Sequence, residues 1–84
     1  MEVIFSEKAN TQFTNCAIND KKRYNKIIVL IESIINEPFE GIGKPEPLKG
    51  NLSGFWSRRI NRECRLVYSV ANDAIYIVQC KYHY

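Results

Sequence analysis

Apolar positions recur in two rhythms along this chain, and the rhythm changes near residue 38. Ala9, Phe13, Cys16 and Ala17, then Tyr24, Ile27, Ile28, Ile31, Ile34 and Ile35, fall at helical spacing. Each set marks the inner stripe of an amphipathic helix laid on a sheet. The first helix is expected over residues 7 to about 18, with Ser6 as its N-cap. The second is expected to start from the N-cap Asp20 and to stop at Pro38. Ahead of them, residues 2–5 form a short apolar run with β-branched members, a first strand. Beyond residue 54 the period shortens, and residues 55–60, 65–70 and 75–83 read as strands separated by short polar turns.

These elements predict a small α+β fold, β-α-α-β-β-β, in which an antiparallel sheet carries the two N-terminal helices on one face. One domain spans residues 1–84, and no repeat or linker divides it. Register decides which side chains share a face, since a slip of one residue reverses all of them. An odd loop between the last two strands groups Leu66, Tyr68 and Val70 with Tyr76, Val78 and Cys80 as a core face. Arg65 and Ser69 then join Gln79, Lys81 and His83 on the other. An even loop mixes Lys81 and His83 into the side of Leu66 and Tyr68, which is costlier because charged groups resist burial, so the odd register is expected. The same parity at residues 61–63 sets Arg59 beside Arg65. It leaves Arg58 on the side of Trp56 and Ile60, where only its stem is expected to pack.

Between the two rhythms lies a segment with its own character. All four glycines (Gly41, Gly43, Gly50, Gly54) and two of the three prolines (Pro45, Pro47) fall within fourteen residues. Glu46 sits between the prolines, and proline restricts both its own φ and the residue before it, so this carboxylate has little backbone freedom. A rigid loop therefore feeds a basic hairpin.

Composition narrows the classes. The chain has 84 residues, 45% of them hydrophobic and 25% charged, the profile of a globular domain with a modest core. Its longest apolar run, residues 27–31, is far too short to span a bilayer, so no membrane partner is expected. The N-terminus lacks the basic flank and apolar core of a signal peptide, and the expected location is the cytoplasm. Three cysteines without CxxC spacing and a single histidine make no convincing zinc set, and the cysteines read as reduced packing residues. Net charge is +3. The excess is concentrated after residue 43, where Lys44, Lys49, Arg58, Arg59, Arg62, Arg65 and Lys81 face only Glu46, Glu63 and Asp73. Such a distribution favours an anionic partner.

Arginines and lysines around one carboxylate and one histidine meet the needs of metal-independent phosphodiester cleavage in RNA. A carboxylate or another base takes the 2′-hydroxyl proton, cations stabilise the phosphate oxygens in the transition state, and an acid protonates the departing 5′ oxygen. Guanidinium suits phosphate through its planar fork of donors. No cofactor fingerprint is present, and none is expected. Taken singly, the same residues also read as a solvated loop acid and as charges that protect strand edges.

The run KPEPLKGNLSGFWSRRI, followed by RLVY and the terminal KYHY, resembles the YoeB (Txe/YoeB) toxins, a branch of the RelE-like mRNA interferases of bacterial toxin-antitoxin pairs. The helical half agrees in length and pattern. By position, the resemblance implies Glu46 as general base, His83 as general acid and Arg65 as the main phosphate ligand of the transition state. Lys49 and Arg59 are implied as supporting cations, and Tyr84 as a substrate contact. Cys64 departs from the family, in which histidine can precede the arginine. The resemblance further implies a ribosome-associated endoribonuclease that cuts mRNA in the A site, an acidic, partly disordered YefM-like antitoxin as partner, and a homodimer. Two rival classes remain: a basic module that binds RNA or the ribosome and blocks translation without cutting, and a structural protein that offers a sheet edge.

Overall fold

Ser6 ends the first strand and starts the first helix. In the computed structural model, which describes residues 1–82, its backbone is extended and its hydroxyl accepts from the amide of Ala9 at 3.1 Å. Strand β1 (Glu2–Phe5) thus passes directly into helix α1 (Glu7–Asn19). Asp20 serves two helices. Its amide donates to the carbonyl of Cys16, closing α1, and its carboxylate accepts from the amide of Arg23, opening helix α2 (Lys21–Asn36). The buried side chains of α2 are Ile27, Leu30, Ile31 and Ile34, so Leu30 joins the expected stripe while Ile28 and Ile35 turn out to be exposed, and the helix ends just before Pro38.

Four more strands follow: β2 (Glu46–Pro47), β3 (Trp56–Arg59), β4 (Arg65–Ala71) and β5 (Ala74–Gln79). They form one sheet in the order β1-β5-β4-β3-β2. The α+β architecture, with two helices on one face, is as the sequence predicts. Two features extend it. β1 joins β5 in parallel, and the proline-rich loop adds β2 as a short antiparallel edge. Pro47 is tolerated there because an edge strand leaves one side of its backbone unpaired. The core lies between the helices and Ile60, Leu66, Tyr68, Ile75, Ile77 and Cys80.

The register corrects the sequence reading. Asn72 and Asp73, both at positive φ (53° and 61°), form a two-residue turn of the primed kind, so the loop is even and Ala71 pairs with Ala74. Ile75 and Ile77, not Tyr76 and Val78, therefore share the core face with Val70 and Tyr68. A bulge then restores the phase. Tyr68 is opposite Ile77 while Val67 is opposite Gln79, which leaves Val78 as the extra residue. Cys80 consequently returns to the core, and Gln79 shares the face of Arg65 and Val67. For Arg65, Ser69 and Gln79 the polar grouping holds because turn and bulge offset each other, and His83 lies outside the described residues.

Arg58 also differs from expectation. It lies on the side of Trp56, as the parity requires, but the whole side chain is buried and not just its stem. Its guanidinium sits against the C-terminal end of α2.

Candidate active site

Glu46 is held by its neighbours on both sides. Gly43 (φ 81°) and Lys44 (φ 52°) turn the chain into Pro45, and β2 then pairs Glu46 with Ser57 and Pro47 with Trp56. Across the sheet, Glu46, Ser57, Val67 and Gln79 form one row, on the face away from the helices. Ser57 and Val67 are its buried floor. Two residues further along β3, about 7 Å at the ordinary strand rise, the next row of that face holds Arg59 opposite Arg65. Sheet register thus brings one carboxylate and two guanidinium-bearing residues to one surface.

The β3–β4 hairpin presents Arg65. Asn61 Oδ1 accepts from the amides of Glu63 and Cys64 at 2.9 and 2.8 Å, folding residues 61–64 into a tight turn. Arg65 Nη1 donates to the carbonyls of Asn61 (2.8 Å) and Cys64 (3.1 Å), so the side chain lies along the turn it follows. Its amide donates to the carbonyl of Tyr82, which also accepts from Gln79 Nε2 at 2.6 Å. Lys81 Nζ is 5.2 Å from the Tyr82 ring centroid. Lys49 is exposed and precedes a single 3-10 turn, Gly50–Leu52, in the loop after β2. Arg59 and Glu46 are exposed as well. His83 and Tyr84 lie outside the described residues.

A cleft of about 730 Å³ adjoins Arg59 on the hairpin side and is lined in part by Lys26, Lys44 and Arg62. Sequence reasoning missed Lys26 as a contributor. Its signal is hidden, because a lysine on the polar face of an amphipathic helix is ordinary. Among the described residues, no group of three or more His, Cys, Asp and Glu could hold a metal ion, and no helix is long and apolar enough to cross a membrane.

The family model of the YoeB-like toxin of bacterial type II toxin-antitoxin systems matches residues 5–84. The chain belongs to this family. It is 51% identical to the Toxin YoeB of Escherichia coli over 84 residues, covering all of both chains. With the Toxin YoeB of a Synechocystis species it shares 50% identity over 84 residues, or 100% of this chain and 98% of the other. Among solved structures, the YoeB/ParE toxin from Agrobacterium tumefaciens superposes with a TM-score of 0.97 at 37% identity, covering 100% of each chain. The YoeB dimer from Staphylococcus aureus superposes at 0.94 with 49% identity, covering 100% of this chain and 98% of that one. A YoeB from Staphylococcus aureus is also known in a heterotetrameric complex with the antitoxin YefM, with a TM-score of 0.93 and 49% identity over 100% of this chain and 98% of that one. The more distant YafQ of Escherichia coli, 17% identical with a TM-score of 0.81, shares the fold. This YoeB-family chain is therefore a toxin of a type II toxin-antitoxin system.

Proposed function

We propose that this toxin is a ribosome-dependent, metal-independent endoribonuclease that cleaves mRNA in the A site and so inhibits translation. The observation that carries the reading is the register of the sheet, which sets Glu46 and the Arg59 and Arg65 pair on one face. In the proposed reaction, Glu46 takes the proton of a 2′-hydroxyl as that oxygen attacks the adjacent phosphorus. The bond to the 5′ oxygen breaks, His83 gives that oxygen a proton, and the products are a 2′,3′-cyclic phosphate and a 5′-hydroxyl. Arg65 stabilises the phosphorane oxygens, with Lys49 and Arg59 in support, because fixed cations aimed at developing charge need no reorganisation during the reaction. Tyr84 contacts the substrate.

The proposed regulator is an acidic, partly disordered YefM-like antitoxin that folds onto the basic surface, a mode suited to a segment too polar to fold alone. The Staphylococcus aureus YoeB-YefM complex supports that partner, and the Staphylococcus aureus YoeB dimer supports a homodimer.

Primer extension on mRNA from cells expressing the protein tests the reaction. New 5′ ends near start codons, carried by 5′-hydroxyls, are expected. Translation arrest with intact messages would replace cleavage by a binding mode of inhibition.

A further inference from the structure

Arg58 is 0% exposed, so it cannot touch RNA, yet its side chain donates five hydrogen bonds. A guanidinium has five N–H donors, and here all five are used. Nε donates to Tyr68 Oη at 3.2 Å, Nη1 to Ser33 Oγ at 2.7 Å and the Ile42 carbonyl at 3.1 Å, and Nη2 to the carbonyls of Glu37 and Glu40, both at 2.7 Å. Tyr68 in turn donates to the Pro38 carbonyl at 2.7 Å. The five acceptors are neutral oxygens. What compensates the charge is the carbonyl-rich C-terminal end of α2, where a cation is favoured.

These partners cover the last turn of α2 and the irregular stretch that follows, whose carbonyls have no helix or strand to pair with. The neighbours of Arg58 complete the attachment. The amide of Arg59 donates to the carbonyl of Gly43 at 2.6 Å, and Ser57 pairs with Glu46. Three consecutive residues of β3 therefore grip one continuous segment at residues 33–42, at Gly43 and at Glu46. The loop closes tightly around the guanidinium. A Cβ on Gly41 would stand 2.6 Å from Ser33 Oγ and 3.2 Å from Arg58 Nη1, and one on Gly43 would stand 2.7 Å from Leu30 Cδ2 and 3.2 Å from Arg58 Cβ. From Gly43 only Lys44 and Pro45 intervene before Glu46, and proline removes most of the remaining freedom.

We infer that Arg58 is the positioning residue for Glu46: it clamps the loop of residues 37–43 to the sheet and thereby fixes where the carboxylate stands. The inference rests on the reading of Glu46 as the base. Lysine at position 58 keeps the charge but offers three donors for the five oxygens, so Arg58→Lys loosens the clamp without emptying the site.

The test is a mutant cycle of Arg58→Lys, Glu46→Gln and the double variant, read as the single-turnover cleavage rate of ribosome-bound mRNA at saturating toxin. Arg58→Lys should lower that rate by roughly 100-fold, the size expected for a small misplacement of a catalytic group, and leave the half-saturating toxin concentration within about threefold. In the Glu46→Gln background it should have no further effect, because a residue that acts through the carboxylate has nothing left to position. Should Arg58→Lys not fold, Tyr68→Phe, which removes the acceptor of Nε and the donor to Pro38, replaces it in the same cycle. A full Glu46→Gln defect that the second substitution multiplies would overturn the inference alone. Glu46→Gln cleaving at the parent rate would overturn the assignment of the base, and the inference with it.

Discussion

Arg59 and Arg65 stand directly opposite each other on β3 and β4, two like charges on neighbouring strands of one sheet face. Pairs of this kind oppose folding by about 0.2–1 kcal/mol. Arg65 is partly committed to the carbonyls of its own turn, whereas Arg59 is exposed and makes no side-chain hydrogen bond among the described residues. Arg59→Gln is therefore expected to raise the melting temperature by a few degrees at low salt, since ~1 kcal/mol corresponds to about 4–8 °C in a domain of this size. The gain should shrink near 0.5 M salt, where screening is short-ranged, roughly 4 Å. Cleavage should fall in the same variant. A lower melting temperature at low salt would show that Arg59 has a structural partner that outweighs the repulsion.

The helical half of the fold was legible because its signals are local. The i, i+3, i+4 stripe of α2 and the caps Ser6 and Asp20 need only residues a few positions apart; the caps are found as read, and Ile27, Ile31 and Ile34 are buried, with Leu30 in place of Ile28 and Ile35. Register is not local. Residues 71–73 fit a two-residue or a three-residue loop equally well, and the choice shows only in the positive φ of Asn72 and Asp73. The bulge at Val78 has no marker at all, since no glycine or proline stands there. Glu46, Lys49, Arg59 and Arg65 could be singled out through the family resemblance, while the shared face of Glu46, Arg59 and Arg65 depends on strand pairing between residues up to 12 positions apart in sequence. Arg58 could not be read from sequence. An arginine in a strand looks like a surface charge until the loop carbonyls that surround it are in place.

The Asn72–Asp73 turn yields a prediction about stability alone. Asp73 has a φ of 61°, a region that glycine enters without steric cost. Asp73→Gly creates the Asn-Gly pair preferred in such turns and should stabilise the fold by about 0.5 kcal/mol, or roughly 2–4 °C. The turn lies at the opposite end of β4 from Arg65, so cleavage should not change. Thermal unfolding followed by circular dichroism decides it: a drop of several degrees would mean that the Asp73 side chain supports the turn.

Cys80 makes stability depend on alkaline pH. Burial pushes its thiol up from 9.0 to about 12, and the neighbouring Cys16 acts in the same direction. The folded state therefore holds the proton more tightly than the unfolded state. This contribution is fully present below about pH 9 and is lost as pH rises towards 12. Urea unfolding at pH 8 and pH 10.5 should show a fall in stability that is smaller in Cys80→Ala, whatever the absolute cost of that truncation. Identical falls in both proteins would remove Cys80 from the account. At pH 8, iodoacetamide should label the three buried cysteines only after unfolding.

The chain end separates folding from chemistry most sharply. The carbonyl of Tyr82 already closes the sheet, accepting from the Arg65 amide at 3.2 Å and from Gln79 Nε2 at 2.6 Å. Cys80, two residues earlier, is the last fully buried side chain among the described residues. A protein ending at Tyr82 should therefore fold with a melting temperature close to that of the parent and still bind its antitoxin. It loses His83, an imidazole being the side-chain type suited to protonate a leaving oxygen near neutral pH, and the aromatic ring of Tyr84. General acids typically contribute ~10²- to 10⁴-fold, so ribosome-bound mRNA should remain essentially uncut on the timescale of the parent reaction. Restoring histidine alone, in a protein ending at residue 83, should recover part of the rate. Normal cleavage by the protein ending at Tyr82 would sink the role of His83, and its failure to fold would make the terminus structural.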